Sequence, residues 1–264
     1  TLRGDSGDDT LLGDTGDDTL VGGEGDDQLW GGMDHDTLSG GSGDDLLVGG
    51  EGDDTLEGGY DHDTLIGEDG DDQLYGGKGD DSLMGSEGDD ALYGEQSDDQ
   101  LWGESGADTL VGGSGADTLY GGEGDDTLTG DIGGGSSYEQ SDTFVFNVSS
   151  GDHDTITDFT PPGVLDVNAP GVDHIALEGM TDTIIANMQV MEVGLDGEAG
   201  KGSAQVDFGQ GNTLTFQGLT PDQLTPEVFE GEIDGTPLAE VAAFRHALPA
   251  TEGEPGGYGD DTVY

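Results

Sequence analysis

Gly4-Asp5-Ser6-Gly7-Asp8-Asp9-Thr10-Leu11-Leu12 is followed without a gap by Gly13-Asp14-Thr15-Gly16-Asp17-Asp18-Thr19-Leu20-Val21. The same nine-residue frame returns until Gly121-Gly122-Glu123-Gly124-Asp125-Asp126-Thr127-Leu128-Thr129, fourteen units in all. Three positions never vary: Gly at 1, Asp at 6 and Leu at 8. Position 4 is Gly in eleven units, with Asp34, Asp61 and Ser97 as the exceptions. Position 2 is Gly, Asp, Glu or Ser. A fixed short period marks a repeat architecture, because no single unit can bury its own apolar face.

Each invariant position has a physical use. Gly permits positive φ and close backbone approach, so positions 1 to 6 suit a tight turn. Asp or Ser at position 4 can still reach the left-handed region. Leu at 8, flanked by outward residues, predicts a three-residue strand with one inward side chain. Two units then make one coil of eighteen residues, and stacked coils bury two columns of Leu. Asp side chains of matching turns come to lie about 4.8 Å apart, the strand spacing. Carboxylates that close require a cation between them, and position-5 residues such as Asp8, Asp17 and Asp26 are expected to face solvent. His35 and His62 stand at that same position.

The nonapeptide resembles the repeats-in-toxin, or hemolysin-type, calcium-binding repeats. The resemblance implies an all-β fold, a right-handed parallel β-roll followed by a small β-rich capping domain. It implies Ca²⁺ between successive turns, held by position-6 carboxylates and turn carbonyls; seven odd and seven even turns leave six gaps each, so about twelve ions are expected. The matching residues are Asp9, Asp18, Asp27, Asp36, Asp45, Asp54, Asp63, Asp72, Asp81, Asp90, Asp99, Asp108, Asp117 and Asp126. Asp142 is expected to be the last. The resemblance further implies type I export and an extracellular location.

Composition narrows the partners. Four basic residues stand against sixty-one acidic ones, a net charge of −57 in 264 residues. Nucleic acid is thereby excluded, because phosphate binding needs Lys and Arg. The chain has no Cys, which suits a secreted protein stapled by metal. No run approaches the ~18 apolar residues of a membrane helix. There is no His-Glu-x-x-His motif and no thiol nucleophile, so no enzyme is expected within these residues. Leu burial falls well short of the backbone entropy of ordering the repeats. Metal binding and folding are therefore expected to be one event.

The remaining chain divides by composition. Residues 1–131 form the roll, with repeats over 4–129, and 132–141 interrupt a fifteenth unit. Residues 142–231 are the cap, with strands expected at Thr143–Val148, Thr155–Phe159, His174–Leu177, Ile184–Val193, Ala204–Phe208 and Thr213–Gln217. Gly209-Gln210-Gly211-Asn212 reads as a hairpin turn. Phe144, Phe146, Ile156 and Phe159 are expected to cover the end of the Leu columns. This segment resembles the one that follows the roll in serralysin-type secreted proteins. Residues 232–255 read as a linker with a short helix from Pro237 to Leu248. Gly256 to Tyr264 is one further nonapeptide, the expected start of another repeat block, so the chain reads as a segment of a longer protein.

One asymmetry concerns partners. Position 9 of odd units reads Leu12, Trp30, Val48, Ile66, Met84, Trp102, Tyr120, all apolar or aromatic. In even units it reads Val21, Ser39, Glu57, Tyr75, Tyr93, Val111, Thr129. The odd face is expected to carry a ladder about 29 Å long at the strand spacing. Trp30, Ile66, Trp102 and Tyr120 are its candidate contacts for a protein or a glycan. Three roles follow: a calcium-dependent folding module, an adhesin or surface-interaction module, or the trailing module of a secreted hydrolase or protease.

Overall fold

The strands are twice as long as the expected three residues. The computed structural model describes residues 1–131, 141–148, 151–159, 173–178, 189–194, 202–209, 211–217, 219, 224, 229–230, 232–233 and 236–237. In the roll most strands run six residues, as in Thr10–Thr15 and Thr64–Asp69. Each takes positions 7 to 9 of one unit and 1 to 3 of the next, and the turn shrinks to positions 4 to 6. The ladder opposes Leu12 to Trp30 and Asp14 to Gly32, skipping position 1 between them. Lengthening the strand lets sheet partners satisfy backbone groups that a long turn would leave to water.

Successive strands alternate between two sheets, and each roll strand up to Thr109–Ser114 pairs in parallel with the strand eighteen residues on. One sheet starts at Leu2–Ser6 and Thr19–Glu24, the other at Thr10–Thr15 and Gln28–Met33. This is a parallel β-solenoid of about seven coils. Position 8 points between the sheets, and Leu20 through Leu119 at that position are fully buried. Each such Leu contributes about 1.5–3 kcal/mol by leaving water.

Positions 2 and 4 take positive φ in all fourteen units, and nine of those residues are not Gly. Asp34, Asp61 and Ser97 adopt the left-handed backbone at φ 75°, 76° and 84°. Glu68 does so at position 2, with φ 79°. An L side chain there costs roughly 1–2 kcal/mol, and Gly returns part of that as unfolded-chain entropy. Glu68→Gly should therefore stabilise the calcium-loaded protein by about 0.5–1 kcal/mol. Its thermal midpoint would rise; a lowered midpoint would show that the Glu side chain compensates for its backbone.

The cap is built on the roll's own sheets. Thr143–Asn147 pairs with Thr118–Glu123 and then with His174–Glu178. His153–Ile156 pairs with Thr127–Asp131 and then with Asn212–Gln217, which closes an antiparallel hairpin with Gly202–Gly209. Asn212 Nδ2 donates to the Gly209 carbonyl at 3.1 Å across that turn. Gln189–Gly194 adds the outermost strand; residues 184–188 of that expected strand lie outside the described residues. Phe144, Phe146, Ile156 and Phe159 are buried in one cluster with the Leu columns. Phe159 meets Phe216 edge-on at 5.2 Å, and Phe146 lies 5.3 Å from Phe208. Growth from Leu to Phe thus fills the width left where the regular coils stop.

No helix occurs among the described residues, and none there could cross a membrane. Pro237, the expected first residue of a helix, pairs instead with Glu232 in a two-residue strand. Residues 238–248, the insertion 132–140 and the nonapeptide 256–264 lie outside the described residues.

Candidate metal centre

The position-6 carboxylates form two rows, one on each edge where the sheets meet. From Asp27 to Asp126 they are buried, and Asp9 and Asp18 in the first coil are half-buried. Their geometry differs from the expectation that facing carboxylates meet only a cation. One oxygen is already engaged, because Oδ1 accepts the backbone N–H of the matching Asp one coil earlier. Asp27 Oδ1 accepts from Asp9 N at 2.8 Å, Asp63 from Asp45 at 2.9 Å and Asp126 from Asp108 at 2.9 Å.

The other oxygen has no donor. Oδ2 is buried without a hydrogen-bond partner in Asp9 and in every position-6 Asp from Asp27 to Asp126. It lies against the position-1 Gly of its own unit. A Cβ on Gly76 would come 2.6 Å from Asp81 Oδ2 and 2.9 Å from the Gly94 carbonyl of the next coil. Position 1 is therefore Gly for space rather than for positive φ, which it does not adopt. The two most rigid features of the repeat, Gly at 1 and Asp at 6, are one requirement.

A buried carboxylate oxygen without a donor is costly. Burial raises these acids first, and neighbouring carboxylates add to it against the lowering effect of the amide bond. Asp63, Asp99 and Asp142 are pushed up to about 8. Asp72, Asp108, Asp117 and Asp126 reach about 7, and Asp45, Asp54, Asp81 and Asp90 about 6. Two hard oxygens, a carboxylate and the carbonyl of the next coil, converge at Gly22, Gly31, Gly49, Gly67, Gly76, Gly94 and Gly103. Among the described residues no three His, Cys, Asp or Glu side chains converge, so main-chain carbonyls must complete any coordination. All-oxygen donors with flexible carbonyl supply suit Ca²⁺ better than a transition metal.

The rows run further than the sequence indicates. Asp142 Oδ2 lies against Gly130 as in an uninterrupted unit, and Asp142 Oδ1 accepts from Asp117 N at 2.9 Å. Beyond it, Asp173 Oδ1 accepts from Asp142 N at 3.1 Å, and Asp154 Oδ1 from Asp126 N at 3.0 Å. Asp154 and Asp173 were missed, although Asp154-Thr155-Ile156 and Asp173-His174-Ile175 keep the Asp-x-apolar signature. Burial raises Asp154 to about 7. Asp158 closes the interruption by accepting from Gly130 N and Asp131 N at 3.0 and 2.8 Å.

Position 5 also has a part the sequence reading left to solvent. Its side chains are exposed, yet they accept the backbone N–H one coil later: Asp8 from Asp26 N, Asp26 from Asp44 N, Asp71 from Asp89 N. His35 and His62 do this through Nδ1, at 2.8 Å from Asp53 N and Asp80 N. Position 5 reaches forward and position 6 reaches back. The signal was the choice of Asp and His, each with an acceptor close to the backbone, at every position 5 except Ala107 and Ala116.

Trp30, Ile66, Trp102 and Tyr120 sit away from these edges, half-buried on the outer face of the second sheet. Trp102 and Tyr120 stack with ring centres 5.3 Å apart. Trp30 and Ile66 are separated by Val48 in register.

No curated protein matches the chain. A family model described as the RTX calcium-binding nonapeptide repeat (4 copies) matches residues 3–38, 39–74, 48–83, 75–110 and 102–136. Those matches span just over half of the 264 residues. With its coils, buried carboxylate rows and oxygen cradles, the chain belongs to the RTX calcium-binding repeat family and carries a calcium-binding β-roll.

Proposed function

We propose that this chain is a secreted folding module: unfolded at low Ca²⁺, exported by type I machinery, and folded by extracellular Ca²⁺ as part of a larger protein. The row of buried Oδ2 atoms without donors carries the reading. A cation at each cradle lets these buried acids be ionised at neutral pH, where without metal the folded roll has to hold them protonated. The position-6 rows from Asp9 to Asp126, continued by Asp142, Asp154 and Asp173, supply the side-chain ligands, and position-1 carbonyls supply others. Six gaps per edge in the fourteen units give about twelve ions, and the continuation adds two gaps on one edge and one on the other. The role assigned to these residues is metal-driven folding rather than catalysis.

Stoichiometry tests this. Asp63→Ala removes a carboxylate shared by two gaps, so equilibrium dialysis with radioactive Ca²⁺ should show two ions lost from one edge. Asp173→Ala, at the end of its row, should lose one. Loss of no ions from either variant would show that the carboxylate rows are not the ligands. A second reading, an interaction module, rests on the outer face of the second sheet.

A further inference from the structure

The outer faces of the two sheets differ in charge as well as in apolarity. On the second sheet the position-9 ladder is unbroken in register from Trp30 through Val48, Ile66, Met84 and Trp102 to Tyr120. Across the strand from it runs a second, exposed ladder at positions 2 and 3. There Glu51 opposes Asp69, and Asp69 opposes Glu87. In that register Ser105 follows Glu87 and Glu123 follows Ser105, while Glu104 stands one residue earlier, at position 2, and Glu178 lies beyond, opposite Asn147. Between the two ladders lies a cleft of about 310 Å³, with Trp102, Tyr120 and Val145 on one side and Glu104, Glu123 and Glu178 on the other.

Like charges directly opposed on neighbouring strands destabilise a sheet. No Lys or Arg lies on this sheet among the described residues to relieve them. The first sheet is different. Its position-9 column is interrupted by Ser39 and Glu57, and Lys78 sits 4.5 Å over the Tyr60 ring beside it.

We infer that the groove along the second sheet receives a cationic amphipathic polypeptide segment. The inference rests on the calcium-folded roll, because the two ladders align only when the coils stack. Apolar side chains of the segment lie on the Trp30–Tyr120 wall, and its Lys or Arg side chains reach the acidic wall. The ring geometry disfavours a sugar. Trp102 and Tyr120 are within 11° of parallel, so their inner faces cover each other. Met84 and Val145 are their register neighbours on the two outer sides of the stack. Sugar stacking needs an open ring face, and this stack takes one face of each of the two rings. From Leu12 to Ala176 the ladder spans nine strands, about 38 Å at the strand spacing, enough for a helical segment of about 25 residues.

Of the chain's two tryptophans, Trp102 lines this cleft and reports on it directly, and Trp30 stands on the same apolar ladder four coils away. The experiment titrates the full chain in saturating Ca²⁺ with an 18-residue peptide bearing Leu on one helical face and Lys on the other. Trp emission should shift and saturate, and added salt should weaken binding. Glu104→Gln and Glu123→Gln should each weaken it roughly two- to five-fold, as exposed charge pairs do. Tyr75→Thr with Tyr93→Thr, on the other sheet, should leave affinity unchanged. The inference is overturned if the peptide leaves Trp emission unmoved, if a Leu/Glu peptide or a neutral oligosaccharide moves it equally, or if the two Gln variants bind with undiminished affinity. Circular dichroism of the same samples separates the two readings. An intact β spectrum with no peptide effect sinks the groove alone, and a missing β spectrum in Ca²⁺ sinks the folding module.

Discussion

Excess chelator at neutral pH should abolish the β circular dichroism of this chain, and Ca²⁺ should restore it in one cooperative step. The midpoint should fall near ~10⁻⁴–10⁻³ M, the range of extracellular calcium modules. The expectation follows from where the charges are. From Asp27 to Asp126 the position-6 carboxylates are buried along both edges, each with an oxygen that no protein group satisfies. Without metal, ordering the coils means burying a row of acids and fixing backbones for the return of one Leu per unit. With metal, that electrostatic penalty becomes attraction. Cooperativity follows because each Asp is tied to the turn one coil earlier, so no coil orders alone. A full β spectrum in chelator would refute this coupling.

Acid should partly replace calcium. The chelated chain should be least ordered at pH 8 and gain β structure as pH falls toward 4. The sign follows from the raised acids. Asp63 and Asp99 titrate near 8 in the folded roll and Asp72 and Asp108 near 7, against the ordinary value of 3.8. Between pH 4 and 8 the folded roll therefore holds protons that the unfolded chain has released. Its metal-free stability falls as pH rises through that window and is fully present below about 4. Calcium competes for the same oxygens, so binding at pH 6–7 should release protons, and affinity should rise up to about pH 8. Calorimetric titration in two buffers of different ionisation enthalpy reads the proton count. A chelated chain most ordered at pH 8, or binding with no proton release, would contradict the buried-acid account.

The parts legible in the sequence were those fixed by period. An invariant Leu every nine residues determines two apolar columns, and an invariant Asp two residues earlier determines two carboxylate rows. What escaped was set by neighbours one coil away, which a linear reading does not display. Strand length was underestimated because positions 1 to 3 look like turn residues, yet positions 2 and 3 pair with the same positions of the next coil. Gly at position 1 was credited to backbone freedom, whereas the Asp five residues on needs its space. Asp154 and Asp173 were overlooked because the spacing to them is irregular, although the Asp-x-apolar triplet survives. The acidic wall beside the aromatic ladder was invisible for the same reason. Only the register places Glu51, Asp69 and Glu87 in line.

The interrupted fifteenth unit shows what the frame counts. Gly130 and Asp142 stand twelve residues apart instead of five, yet the Asp carboxylate still fits against the Gly. Phe144 still opposes Leu119, as Leu opposes Leu in every earlier coil. The roll therefore measures space, not residue number. A chain that leaves at position 2 and returns at position 5 keeps the Asp–Gly fit and the apolar column here, which points to this turn as a graft point for a displayed peptide. The roll becomes a ruler on which such peptides could be mounted at fixed intervals of one coil.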